Sequence, residues 1–336
     1  VLGLVSLFAE PERGGAGDAA LSAALRGRPV VLGYYFSSDR GGVTAGQLPA
    51  PVMNVGAFAQ SDHRITSWTG YGANLASLQQ AAGAAGFFNP MVDADGVVRA
   101  LPLLAEYEGQ VYESLVVAVL RRHLGGASLA LTGEHLVLQG PRGRAELPLS
   151  TGAAALVPFA GRQAAASGGP GAGIVQAAGQ AGMPRWQHRF RYVSAADVLA
   201  GRADPAVFRG RIVLLGASAP GLTDLRATPV HAAFPGVEIH ATLLAAALGT
   251  EDGGTAIKRR SELSLAVGAI LVAGAGLPLA TALPMVGAVG AVTLSLLAAA
   301  GLWLAGSVGW AHFGLVVPVA TGLLLVALLT GFNLAA

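Results

Sequence analysis

After Glu262 the chain carries no Lys, Arg, Asp or Glu as far as residue 336, and this feature constrains the fold more than any other. Charged residues make up 12% of the whole sequence, against roughly 25% in an ordinary soluble chain. The deficit lies almost entirely in the C-terminal tract, so the chain divides near residue 260 into a soluble part and a lipid part. A helical crossing takes about 20 residues. The tract 262–334 therefore fits three crossings with tight turns, whereas two would each be far too long. The expected spans are 262–281, 284–305 and 310–333, with turns at Thr281-Ala282-Leu283-Pro284 and Gly306-Ser307-Val308-Gly309, because Pro and Gly punctuate helices. Trp303 and Trp310 fall near the second turn, where amphipathic rings favour the headgroup layer. None of the three segments shows the polar stripe of a water-soluble helix, and their many glycines suit close helix contact in lipid. Apart from His312 near one end, no ionisable group lies within them, which excludes a proton or ion path. The segment reads as an anchor and signal relay. Three crossings place the C-terminus across the membrane from the soluble part. Lys258-Arg259-Arg260, read by the positive-inside rule, would place that soluble part in the cytoplasm.

The remaining composition excludes several function classes. A net charge of +2, with no basic stripe and no interleaved aromatics, does not fit a nucleic-acid partner. With no cysteine there can be no disulfide, thiolate metal site or Cys nucleophile. The chain begins at Val1 without Met, and residues 1–8 read as a strand entered midway, with further sequence upstream.

Buried strands are expected at 1–8, 29–36 and 211–217, the last being the strongest. Residues 97–107 and 110–112 read as a hairpin turning at Glu108-Gly109, and short strands follow at 128–132, 135–139 and 145–149. Helices are expected at 18–26, 74–85, 113–124 and 237–248. A short helix opens at Ser194 in a capping-box-like pattern completed by Asp197. Residues 37–70 are rich in loops, and 161–182, rich in Gly, Ala and Gln, read as a flexible insert. Alternating strands and helices, with continuous rather than period-two apolar strands, predict an α/β fold: a mixed sheet with helices on its faces. Residues 1–250 form this domain, 251–261 a juxtamembrane linker, and 262–334 an all-α three-helix transmembrane segment.

Three ordered stretches carry a resemblance. The first is Leu7-Phe8-Ala9-Glu10-Pro11 with Pro29-Val30-Val31-Leu32-Gly33-Tyr34. The second is Gly86-Phe87-Phe88-Asn89-Pro90 with Asp93-Ala94-Asp95-Gly96-Val97-Val98-Arg99. The third begins at Tyr192-Val193-Ser194, passes through Gly210-Arg211-Ile212-Val213-Leu214-Leu215-Gly216, and ends at Pro235-Gly236-Val237-Glu238-Ile239-His240-Ala241. Together with three following spans, they resemble the type-two CHASE domain, the sensory extracellular family associated with cyclases and histidine kinases. The resemblance implies an extracytoplasmic sensor in a bacterial multi-pass membrane receptor with a cytoplasmic C-terminus. A small ligand or protein would be the stimulus, and an adenylate cyclase or a kinase the output. It also implies a homodimer formed through the membrane helices or the output domain. Two departures stand out: Val5 occupies a position where the family often has Asp, and the output domain is not in the sequence.

Several residues could carry chemistry. Asp93, Asp95 and Gly96 begin like a calcium loop, but the position of the twelfth-residue Glu holds Leu104. The expected reading is a turn braced by Arg99. Ser218 follows a strand as a hydrolase nucleophile would, but Pro220 stands where the elbow needs a second Gly. A membrane-anchored serine hydrolase using Ser218 is the enzymatic alternative, and a non-sensing anchor is the other. Asp224, Thr228, Glu238 and His240 cluster after the strongest strand, where open α/β sheets tend to bind ligands. With Ser218 they are the candidate ligand-binding residues, and the same side chains could equally serve as caps and loop braces. Pro235-Gly236 is a turn signal, with Gly236 expected at positive φ. No metal and no cofactor are expected.

Overall fold

The structure, a computed structural model, describes residues 1–38, 41–58, 64–150, 152–159, 190–217, 224–249, 262–313 and 316–335. The chain forms two compact units, Val1–Ile257 and Lys258–Ala336.

The first unit opens with β1 (Leu2–Val5), α1 (Ala16–Leu25) and β2 (Val30–Ser37). Short strands follow: β3 (Thr44–Ala45), β4 (Met53–Asn54), β5 (Thr66–Ser67) and β6 (Gly70–Gly72). Then come α2 (Ala76–Ala82), β7 (Ala85–Phe87), β8 (Met91–Val92), β9 (Val98–Pro102), β10 (Leu104–Tyr107) and β11 (Gln110–Glu113). Helix α3 (Leu115–His123) leads to β12 (Ser128–Thr132), β13 (His135–Gly140), β14 (Gly143–Pro148) and β15 (Ala154–Leu156). The unit closes with α4 (Ala195–Leu199), β16 (Val213–Gly216), β17 (Leu225–Thr228), β18 (His231–Pro235) and α5 (Gly236–Ala247).

Strands β16, β1, β2 and β7 pair in parallel, and β6 adds antiparallel to the far end of β2. Because parallel strands are covered on both faces, β2 reads as a continuous apolar run, and all but Tyr35 and Ser37 are buried. Leu4, Leu32, Tyr34 and Phe36 join Leu25 and Leu78 of α1 and α2 in one core. Val31 joins α3 and α5 in a second. Gly86 permits the close approach of α3: a Cβ there would lie 2.5 Å from the Leu115 nitrogen. Ser114 caps α3, with its hydroxyl accepting from the Val117 N–H.

The β10–β11 hairpin turns at Glu108 (φ 49°) and Gly109 (φ 76°), the paired positive φ of a type I′ connection. Strands β12, β13 and β14 form an antiparallel meander, in which Leu136, Leu138 and Leu147 point inward. Two asparagines do work that the backbone leaves undone. Buried Asn74 accepts from Phe8 N and donates to Gly33 O, and Asn89 pairs with both backbone groups of Phe36.

The structure corrects three expectations in this unit. The helix expected over 74–85 stops at Ala82, because Gly83 takes the left-handed conformation (φ 70°) and Ala85 already belongs to β7. Residues 37–70 are rich in loops as expected, with only the short strands β3 to β6, of two or three residues each, among the described residues. Ser194 begins α4 without a side-chain cap bond, and Asp197 instead accepts from Arg202 at 2.6 and 2.9 Å. The strand expected to be strongest, β16, lies at the sheet edge, with Leu215 45% exposed. Its apolar run reflects one covered face rather than two. The insert expected over 161–182 lies outside the described residues.

The second unit contains α6 (Glu262–Ala282), a 3-10 turn at Leu283–Met285, α7 (Ala288–Phe313) and α8 (Ala320–Ala335). Ser264–Met285 and Ala288–His312 are each long and apolar enough to cross a membrane. The first turn falls where Pro284 predicts it. The second does not: α7 continues through Gly306 and Gly309 as far as Phe313. Glycine is tolerated inside membrane helices, and the Ser307 hydroxyl donates to Trp303 O within the helix. Trp303 and Trp310 therefore lie on α7. Helix α8 has 16 residues, about 24 Å at 1.5 Å per residue, shorter than the expected span 310–333. Its Gly322 lets Leu302 of α7 approach to 3.0 Å of an added Cβ, and Ser295 and Thr330 hydroxyls meet at 2.5 Å. Leu277, Val289 and Phe332 are 71, 83 and 80% exposed, an apolar exterior that water does not tolerate over such an area.

Candidate functional site

The candidate residues after β16 gather around the first turn of α5. Asp224 precedes β17, and its carbonyl accepts from Gly236 N at 2.8 Å. Its carboxylate accepts from Val237 N, a side-chain cap on a helix whose N-cap residue, Pro235, has none to offer. Burial pushes the Asp224 carboxyl up, while Arg226 and the Val237 bond oppose the rise.

This geometry changes the reason for Gly236. The residue is the first of α5 and is not among the positive-φ glycines. An added Cβ would lie 2.3 Å from Asp224 Oδ1 and 2.7 Å from its Cγ. The constraint is therefore close approach of the capping carboxylate, not left-handed backbone.

Thr228 closes the β17–β18 turn: its hydroxyl donates to His231 O at 3.0 Å and accepts from His231 N at 3.2 Å. Glu238, on the first turn of α5, is 6% exposed and accepts from the Tyr192 hydroxyl at 2.6 Å. Tyr192, well separated in sequence, is pushed well up by burial and by the Glu238 charge. Sequence reasoning placed Tyr192 in a shared motif and gave it no role, because a pairing across 46 positions leaves no local signature.

His240 is 5% exposed, and burial pulls its imidazole down to about 4, with a bond to the Phe88 backbone acting the other way. The ring is neutral at ordinary pH, and its Nδ1 has no partner among the described residues. Asp224, Gly236 and Val237 are thus brought together, and Glu238 joins Tyr192. Thr228 faces His231. Ser218 lies outside the described residues. No group of three or more His, Cys, Asp or Glu suited to a metal occurs among the described residues.

The Asp93–Arg99 turn connects β8 and β9. Gly96 sits at φ 79°, and Asp95 Oδ1 accepts from Val97 N at 3.1 Å. Arg99 reaches Asp93 at 2.6 Å and forks onto Asp95 at 2.9 and 2.7 Å. This fork is the main cause holding the Asp95 carboxyl down at about 2. The carboxylates that a cation would need are already bound to a guanidinium.

A family model described as the CHASE2 domain matches residues 1–278. No curated protein and no solved structure matches the chain.

Proposed function

The chain belongs to the CHASE2 domain family, and from this we propose that it is the sensory input and membrane anchor of a bacterial transmembrane receptor. Domains of this family are sensory rather than catalytic and lie outside the membrane in receptors such as cyclases and kinases. The single observation that carries the reading is the family match over residues 1–278, which runs from the first strand into the first apolar helix.

In this reading the α/β unit detects an extracytoplasmic stimulus. Helices α6, α7 and α8 cross the membrane three times and carry the response to a cytoplasmic adenylate or guanylate cyclase or protein kinase beyond Ala336. A homodimer joined through the membrane helices or the output domain would couple two inputs. A stimulus can shift such a system only if it binds two arrangements of the domain unequally. Lys258, Arg259 and Arg260 oppose this orientation on charge alone. The positive-inside rule is counted over short loops, however, and long domains translocate largely regardless of charge. A ligand at the head of α5, near Asp224, Thr228, Glu238 and His240, would act on the last described element before the membrane segment.

A reporter active only in the cytoplasm, fused after Ala336, tests the orientation. It is expected to be active in the membrane-inserted protein. Activity there from a reporter that works only in the periplasm would overturn the arrangement.

A further inference from the structure

Glu113 ends β11, one residue before the cap of α3, and its side chain is 11% exposed. Arg121, two turns along α3, donates through Nη1 to Glu113 Oε1 at 2.7 Å and through Nε to Ala127 O at 2.9 Å. The other carboxyl oxygen, Oε2, has no partner among the described residues. An ionised carboxylate offers about four acceptor positions, and this one uses a single side-chain bond. Nearby stands Tyr34 of β2, fully buried, whose hydroxyl also has no partner among the described residues. Burial, then the Glu113 charge, then Tyr112 push that phenol well up.

The charged group acting on Glu113 is therefore Arg121 from α3, and the Glu113 charge in turn acts on Tyr34 of β2. A buried carboxylate with one ion pair and few donors is poorly solvated when charged. As a neutral acid it keeps the Arg121 bond on Oε1 and no longer leaves a bare charge on Oε2, the oxygen without a partner among the described residues. Burial outweighs Arg121 and brings the group to about 7.

Resting on the sensory reading above, we propose that Glu113 is a proton-binding site of the domain, so that the stimulus it detects includes extracytoplasmic proton activity. Arg121 is the link that responds, holding Glu113 and Ala127 O at once. When Glu113 is charged, its guanidinium ties the β11–α3 junction to the α3–β12 connection. When Glu113 is neutral, half of that tie is weakened. Helix α3 packs directly against α5, with Val116, Val119 and Leu120 sharing one core with Ile239, Leu243 and Leu244. A shift of α3 is therefore expected to move α5, the last described element before the apolar helices.

The test uses the full chain in lipid nanodiscs. Infrared difference spectroscopy between about pH 5 and about pH 8 follows the protonated-carboxyl band. In the wild type one band is expected to disappear with a midpoint near 7, and it is expected to be absent in Glu113→Gln. Arg121→Gln removes the opposing cation and is expected to raise the midpoint by about 1–3 units, so that the band persists at the alkaline end of the range. The sequence contains no cysteine, so spin labels at Gln139→Cys and Ala246→Cys report the separation of β13 and α5 without background. That separation is expected to change over the same pH range in the wild type and to stay at its acidic value in Glu113→Gln. A Glu113 midpoint in the ordinary carboxylate range overturns the proposal, as does a label separation indifferent to pH. If Glu113→Gln does not fold, Arg121→Gln decides alone, and an unmoved midpoint overturns the proposal. Failure here leaves the receptor orientation standing, since that is decided by the reporter at Ala336.

Discussion

Replacing Gly236 by Ala should cost stability only while Asp224 is present. The added Cβ would lie 2.3 Å from Oδ1 and 2.7 Å from both Cγ and Oδ2 of Asp224. Carbon–oxygen contacts settle at about 3.3–3.6 Å, so the carboxylate must retreat by about 1 Å. That retreat breaks its bond to Val237 N, and loss of a helix cap costs about 0.5–2 kcal/mol. Against this, Ala is a better helix former than Gly by up to about 1 kcal/mol. Gly236→Ala is therefore expected to destabilise the domain by about 0.5–1.5 kcal/mol in the wild-type background. In Asp224→Ala the obstacle and the cap are both gone, so the same change is expected to be neutral or stabilising. Urea unfolding of the 1–257 unit, followed by far-ultraviolet circular dichroism for the four proteins of the cycle, measures the coupling, expected near 1–2 kcal/mol. Additivity within about 0.5 kcal/mol would show that Asp224 and Gly236 act independently, and would refute the close-approach explanation.

Three further outcomes are expected. Glu113, with a folded value of about 7 against an ordinary 4.5, stabilises most below pH 4.5 and loses that contribution as pH rises through 7. Over the full shift this is on the order of 3 kcal/mol, and Glu113→Gln is expected to abolish it in pH-dependent unfolding. His240 acts with opposite sign: its folded value of about 4 against 6.5 gives stability above pH 6.5 that is lost as pH falls through 4. The two trends oppose each other between pH 4.5 and 6.5, so His240→Leu is expected to uncover the Glu113 dependence and Glu113→Gln the His240 dependence. Millimolar calcium is expected to leave the melting temperature unchanged, because Arg99 already occupies Asp93 and Asp95; a clear upward shift would revive a calcium role for that turn.

Local signals survive translation into structure, and non-local ones do not. Glu108-Gly109 marks its turn because a type I′ connection needs positive φ at both central residues, which Gly adopts at no steric cost. The apolar spacing of β12 to β14 likewise sets which leucines face inward. The end of α2 was misplaced because Ala84 and Ala85 suit a helix, and Gly83 ends it for a reason set by the neighbouring strand. An apolar run cannot say whether a strand is central or at an edge, so β16 read as stronger than it is. In the membrane unit, Gly306 and Gly309 do not break α7, because lipid-embedded helices absorb glycine more readily than soluble ones. At the candidate site, the positions of Asp224, Glu238 and His240 near one helix end followed from sequence proximity. Their partners did not. Tyr192 with Glu238, Phe88 with His240, and Arg121 with Glu113 are pairings made by the fold. The Gly236 constraint belongs to the same class, since nothing local tells that a carboxylate twelve positions earlier will lie against its Cα.

The most direct test of an extracytoplasmic sensory domain is the side of the membrane on which the α/β unit lies. Leu199 is 89% exposed on α4, and the sequence has no cysteine, so Leu199→Cys gives one accessible thiol. Labelling intact spheroplasts with a membrane-impermeant maleimide, with and without permeabilisation, reads its location. Full labelling of the intact cells is expected. Labelling that appears only after permeabilisation would place the domain in the cytoplasm and contradict the sensory assignment.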